Sequence, residues 1–414
     1  MIDSGSLCRI NRLILTLSAL LATPFAAVAD EWLAIRGRQV LTVAGAPIEN
    51  GVVLIRDGKI EAIGPQSAVM IPEDCEIIDG EVVTPGLIDV HSVVGLAGML
   101  NQDEDQDQLD TTVAVQPQLR AIDAYNCHDE LIEWLREFGV TTLHTGHAPG
   151  QLTSGQTMIV RTIGNTAEEA TRVTERAVAV TLTSAGRRTG KESPGTRGKA
   201  MAMLRERLIA AREYVANRER AEAEQPPARN LELETWARVL QREMALMITA
   251  DKAQDIASAL RLAEEFGVEL WLDGAAEAHL LIDRIKDAGV PVLVHATMAR
   301  AVGERENLSF ETAAKLAEAG IPFAIQSGYE AYVPKTRVVL FEAAIAAANG
   351  LGPERALRAI TLDAAMILGI ADEVGSLEVG KRADLAIYDG DPFEYTTHCI
   401  GTIIDGKLVS RTTR

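Results

Sequence analysis

The chain is short of cysteine, with four in 414 residues. Cys8 sits ahead of an apolar stretch, and Cys75, Cys127 and Cys399 are scattered and odd in number. That excludes a disulfide framework as the basis of the fold and allows one bridge at most. Positive charge is short as well: 40 lysines and arginines face 59 aspartates and glutamates, a formal net charge of −19. An acidic surface repels phosphate backbones and anionic headgroups, which excludes nucleic acid and anionic membranes as main partners. No repeat of fixed period is found, which sets aside a solenoid. The apolar stretch from Leu13 is short and broken by Thr16, Ser18, Thr23 and Pro24, a poor membrane span. It follows Arg9 and Arg12 and ends at the small residues Ala27 and Ala29, the pattern of a secretory signal cleaved after Ala29. The expectation is an exported chain, periplasmic or secreted, with no stable membrane insertion after processing.

What is present is ample apolar material, 47% of residues, enough for a large core. Near the start, "NGVVLIRDGKIEAIGP" reads as two strands around an Asp57-Gly58 turn. "ADLAIYDGDP" and "IGTIIDGKLV" near the C-terminus share that texture, with turns at Asp389-Gly390 and Asp405-Gly406. Between these flanks one pattern recurs: helix, glycine, apolar strand. It appears in "LIEWLREFGVTTLHTGH", "LRLAEEFGVELWLDG", "IDRIKDAGVPVLVHA" and "AKLAEAGIPFAIQSG". Gly139, Gly267, Gly289 and Gly320 fit the left-handed position that closes a helix. The continuous apolar runs after them fit parallel strands covered on both faces. Such alternation implies right-handed βαβ units, hence a barrel or a doubly wound sheet.

Polar residues recur where these strands run out. Six residues after Gly267, Gly289 and Gly320 come Asp273, His295 and Gln326, and His144 and His147 bracket the same offset after Gly139. In a (β/α)8 barrel those strand ends form the active-site face. "HTGHAPGQLTSGQ" (144–156) reads as a glycine-rich loop, and His144 and His147 are candidates for binding a substrate's carboxylate or carbonyl. "NQDEDQDQLD" (101–110) has Gln108 and Ala114 where a calcium loop needs glycine and glutamate. It is read as a solvated acidic loop that overhangs the barrel mouth and could select a cationic ligand. "TRGKAMAMLRERLIAAREYVANRERAEAEQ" reads as a long, largely exposed helix, broken at Pro226 and Pro227. With a second helix to about Ala245 it makes an excursion from the barrel near 198–245. His128 and His279 are read as structural, and His398 lies away from the barrel face.

Three stretches together resemble the amidohydrolase superfamily, and within it the imidazolonepropionase-like group that includes prolidases and deaminases. They are "NGVVLIRDGKIEAIGP", "EVVTPGLIDVHS" and "ALRAITLDAAMILGIADEVGSLEVGKRADLAIYDGDPF". The resemblance implies an α/β fold with a (β/α)8 TIM-like barrel over 85–370, after a signal peptide at 1–29. A small β-sandwich would be assembled from both chain ends, 30–84 and 371–414. The resemblance also implies a divalent metal at the active-site face, zinc foremost, and a dimer.

The family's metal positions are where this chain departs. The first strand should end in His-x-His and ends His91-Ser92-Val93. "TADKAQDI" carries Thr249 and Asp251 where the fifth strand supplies histidine, and "ELWLDG" carries Asp273 where the sixth does. "FAIQSGYE" has no aspartate, its aligned position falling near Gly328, and no convincing lysine ends a fourth strand. A centre could be rebuilt from other residues, with His91 and His295 as metal ligands and Asp273 or Asp251 as the base. Two functions follow. One is an exported hydrolase of C–N bonds in a cyclic amide, dipeptide or other non-peptide amide, with an altered metal site or metal-free chemistry. The other is a catalytically inactive homologue acting as a binding protein or partner subunit. The expected partners are a small-molecule substrate or ligand and another protomer, either a second copy or an active homologue.

Overall fold

Four strands open the structure: β1 (Trp32–Val40), β2 (Ile48–Arg56), β3 (Lys59–Pro65) and β4 (Glu76–Pro85). Eight more follow: β5 (Leu87–Ser92), β6 (Val140–Gly146), β7 (Thr153–Arg161), β8 (Thr171–Thr181), β9 (Ala245–Thr249), β10 (Leu270–Gly274), β11 (Val292–Val294) and β12 (Phe323–Ile325). Then come β13 (Leu385–Tyr388), β14 (Cys399–Ile404) and β15 (Lys407–Ser410). This computed structural model describes residues 32–100, 102–187, 193–220, 228–330 and 337–413, so the signal segment expected at 1–29 lies outside the described residues.

Both chain ends enter one seven-stranded sheet, ordered β15-β14-β13-β4-β1-β2-β3. Its two Asp-Gly turns pack on each other. A Cβ on Gly58 would sit 2.9 Å from the Asp405 carbonyl oxygen, and one on Gly406 would sit 2.8 Å from the Gly58 Cα. With φ of +79° and +75°, both positions ask for glycine twice over, by conformation and by contact. The sheet therefore folds back over a core that includes Ile35, Val53, Ile55, Val83, Leu385 and Ile403.

The remaining eight strands form the nearly closed barrel, ordered β12-β11-β10-β9-β8-β7-β6-β5. Strands β8 to β12 run parallel, as do β5 and β6. β7 is antiparallel to both its neighbours, which corrects the all-parallel expectation. The cause is length: residues 147–152 join β6 to β7, and a parallel crossover needs a dozen residues or more. The segment 144–156, read as a loop, is thus a strand end, a tight turn and the start of the next strand. Elsewhere the helix-glycine-strand reading holds. Gly267, Gly289 and Gly320 close their helices at φ +70°, +63° and +71°.

Asp89 links the first barrel strand to the segment after the last. It accepts from the backbone of Ser327 at 3.1 Å and of His91 at 3.2 Å, and it contacts the Ser327 hydroxyl. Burial pushes its carboxyl up to about 6. The excursion is a helix pair, Arg197–Arg220 and Leu231–Leu240. The first helix is less exposed than its sequence suggested. Ala200, Leu204, Leu208 and Ala211 form a buried stripe at helical spacing. Arg197 also forks onto Asp255 at 2.7 and 3.0 Å, tying the excursion to the barrel's helix layer. Cys75, Cys127 and Cys399 are free thiols. No helix among the described residues is long and apolar enough to cross a membrane.

Candidate functional site

His91, at the end of β5, reaches Asp273 on β10 across 182 residues of sequence, with Nδ1 2.7 Å from Oδ1. Both side chains are buried. Asp273 also accepts from Thr249 Oγ1 at 2.6 Å and Gln326 Nε2 at 2.9 Å. Burial alone would raise the Asp273 carboxyl, but His91 and these two donors outweigh it and hold it below its usual range. An ionised carboxylate only accepts, so His91 Nδ1 carries the hydrogen, and in the neutral ring Nε2 presents its lone pair. That Nε2 is buried without a hydrogen-bond partner among the described residues. Tyr329 stacks on the imidazole, ring centroids 4.9 Å apart.

Asp251 stands one strand over and faces a different partner. Its Oδ2 lies 3.2 Å from Arg305 Nε, and burial lifts its carboxyl against the pull of that cation. Arg305 donates further to Glu330 Oε1 at 2.8 Å and to the Tyr329 hydroxyl at 2.9 Å. The other candidate histidines do not join this pair. His295 Nδ1 is 3.1 Å from the Ala296 carbonyl oxygen, and its Nε2 is 3.4 Å from Thr312 Oγ1. His147 lies buried in the β6–β7 turn over Gly155, where any Cβ would meet its ring at 2.3 Å. Both its ring nitrogens lack hydrogen-bond partners among the described residues. His144 sits beneath His91, 2.7 Å from the Val90 carbonyl oxygen on one side and 2.7 Å from Thr157 Oγ1 on the other.

That placement carries a testable consequence. Burial drives the His144 pKa down to about 3. The unfolded chain binds this proton near pH 6.5 and the folded chain does not, so stability is lost as pH falls from 6.5 toward 3. Through His144 alone the chain should lose about 2 kcal/mol between pH 7 and pH 5. Urea melts of wild type and His144→Gln at the two pH values should differ by that slope, whatever the variant's absolute stability. Equal slopes would show that the ring is not held neutral.

Two cavities lie beside the pair and share lining residues, and neither is lined by His91 or Asp273 themselves. An outer one of about 910 Å³ opens at the barrel mouth between Asp251, Arg300, Arg305, Tyr329, Glu330 and Arg337. An inner one of about 10 Å³, room for about one water, is lined by His295, Gln326 and Gly328 and again by Arg305, Tyr329 and Glu330. The sequence pattern pointed to His91, Asp273, Asp251 and Gln326 at this end of the barrel. It did not point to Arg305, Tyr329 or Glu330. Tyr329 and Glu330 lay within the quoted "FAIQSGYE", and Arg305 follows β11 in a loop on the same face, where a barrel carries its function.

The amidohydrolase family model matches residues 99–409. The chain belongs to the amidohydrolase family. The imidazolonepropionase of Symbiobacterium thermophilum is 26% identical, over 90% of this chain and 94% of that protein. An imidazolonepropionase of Rhizobium rhizogenes is 24% identical, over 86% and 90%. Among solved structures, an amidohydrolase from Thermotoga maritima superposes with a TM-score of 0.86 at 27% identity, covering 92% of this chain and 100% of that one. Amidohydrolases commonly use divalent metals at this barrel end. Among the described residues of this amidohydrolase, no three His, Cys, Asp or Glu side chains come together so as to hold a metal ion. Val93 is buried in an apolar cluster with Ala97 and Ala148, against Tyr329.

Proposed function

We propose that this amidohydrolase hydrolyses a C–N bond in a small molecule, such as a cyclic amide or dipeptide, at an altered centre. His91 and Asp273 move the protons there, and the donor set does not fit a resident metal. The observation that carries this is the buried, unpartnered His91 Nε2 backed by an ionised Asp273. In such a pair the carboxylate fixes the tautomer, and the free nitrogen acts as general base and then general acid. Water attacks the amide carbonyl carbon as its proton passes to His91 Nε2. The C–N bond then breaks, and the same proton goes to the departing nitrogen. A metal-held water would need about three protein ligands and an open position. His295 is turned to Ala296 and Thr312, and Val93 supplies no donor.

A second reading has its own support. Tyr329 lies over His91, and Arg305 bonds its hydroxyl, so the base is covered from the mouth. That arrangement favours a catalytically inactive homologue that binds a ligand or pairs with an active relative. The proposal further includes export: the mature chain begins at Asp30 and works in the periplasm or outside the cell, as a homo-oligomer or paired with a homologue.

The test is metal content by mass spectrometry of the chain from Asp30 onward, with amide and dipeptide hydrolysis measured with and without a chelator. The expected result is metal far below one ion per chain, and hydrolysis that the chelator leaves unchanged and His91→Ala abolishes. Near-stoichiometric zinc, iron or manganese, lost in His91→Ala, would overturn the metal-free centre. Ligand binding with no hydrolysis would favour the second reading.

A further inference from the structure

Arg305 fills a cage. Each of its three guanidinium nitrogens meets its own acceptor: Asp251 Oδ2 at 3.2 Å, Glu330 Oε1 at 2.8 Å and the Tyr329 hydroxyl at 2.9 Å. The Tyr329 ring lies 5.5 Å from the guanidinium carbon, within cation–π reach. Two carboxylates, a phenol oxygen and an aromatic face are the chemistry that holds a planar organic cation. The cage also stands between the two cavities, because Arg305, Tyr329 and Glu330 line both of them.

The segment that carries Arg305 has anchors besides the guanidinium. Glu304 bonds the Ser184 backbone and Arg187, Glu306 pairs with Lys252 at 2.7 Å, and Asn307 Nδ2 donates to Glu277 at 2.7 Å. These anchors flank Arg305 on both sides. Its side chain can therefore leave by rotating its own torsions while the backbone stays. At 24% exposure it is also reachable from the outer cavity.

We infer that the barrel mouth is a binding site for the guanidinium or ammonium group of a ligand, occupied in the free chain by Arg305. Only the step from ligand to substrate rests on the hydrolase reading above. An incoming organic cation replaces Arg305 between Asp251, Glu330 and Tyr329, and the displaced side chain turns into the outer cavity. A ligand without positive charge is disfavoured, because it would leave the buried Asp251 carboxylate to take up a proton and Glu330 with Arg337 alone, at 3.4 Å. The chain's net charge of −19 acts in the same direction, raising the local concentration of cations. The substrate class is then a small amide or cyclic amide that carries a guanidinium or ammonium group.

Calorimetry tests this with methylguanidinium and its neutral isostere methylurea. The proteins are wild type, Arg305→Ala, and Arg305→Ala combined with Glu330→Gln. Emptying the cage should make Arg305→Ala bind methylguanidinium at least about tenfold more tightly than wild type, with no binding of methylurea. Restricting the cage to one carboxylate in the double variant should remove about that gain, as expected for a lost charge-assisted contact. Folding of each variant is checked by circular dichroism, and Arg305→Gln replaces Arg305→Ala if the alanine variant does not fold. Equal affinity for the two probes, or no gain on removing Arg305, overturns the site. The heat is read without turnover. A chain that binds the cation and hydrolyses nothing keeps the site and loses the hydrolase reading, whereas hydrolysis of uncharged amides without cation binding does the reverse.

Discussion

Replacing Asp273 with asparagine is expected to lower the rate of amide hydrolysis by roughly 10³–10⁴-fold with the chain still folded. Asp273 faces three hydrogen-bond donors: His91 Nδ1, Thr249 Oγ1 and Gln326 Nε2. An asparagine keeps the shape but adds two hydrogens to a pocket already supplied with donors. The imidazole answers by moving its own hydrogen to Nε2, and the nitrogen that should take a proton from water then carries one. The loss therefore falls on kcat, with KM moving little, because the cavity walls that would hold the ligand are untouched. Steady-state kinetics on the variant, with thermal unfolding as the control for folding, make the check. An activity within a few-fold of wild type would mean that the pair is a buried structural contact and that another group moves the proton.

The second large effect concerns stability. Arg172→Ala is expected to cost about 3–5 kcal/mol in urea unfolding. Arg172 lies on β8 of the barrel, and Asp384 immediately precedes β13 of the other sheet; both side chains are almost fully buried where they pair. Asp384 also accepts from the Asp405 backbone at 2.8 Å, so it joins the barrel to the β14–β15 turn as well. Without the guanidinium its carboxylate is left buried near Asp405, a like charge that raises its pKa further. The double variant Arg172→Met/Asp384→Leu should lose much less, since an apolar pair leaves no uncompensated charge. A single-variant loss below about 1 kcal/mol would place the pair with exposed ion pairs, which contribute little.

The elements that could be read from sequence are those set by near neighbours. A glycine after a helix, an apolar run of strand length and an Asp-Gly turn are each decided within a few residues. The helix ends at Gly267, Gly289 and Gly320 and the turn at Gly58 followed accordingly. The polar strand ends were legible for the same reason, and the pattern put His91, Asp251, Asp273 and Gln326 at one end of the barrel. Convergence was not legible. Whether His91 meets Asp273 or His295 depends on side-chain direction across the barrel, and the structure turns His295 toward Thr312. The partner that changed the reading of Asp251 is Arg305, 54 residues away in a loop with no pattern of its own. β7 was missed because Gly146, Pro149 and Gly150 punctuate a tight turn as readily as a loop.

Both chain ends share one sheet, and this imposes an order in time. Pro85 on β4 pairs with Leu385 on β13, a separation of 385 − 85 = 300 residues. As the chain is synthesised, β4 can join β1 at once, but its other edge has no partner until the last part of the chain has been made. At about 5–20 residues per second that wait lasts about 15–60 s. Throughout it, Val82, Val83 and Thr84 present an open ladder, the kind of edge that recruits strands from other chains. A ribosome-bound chain halted before residue 385 should therefore be far more prone to aggregate than one released whole, even with every barrel strand already made.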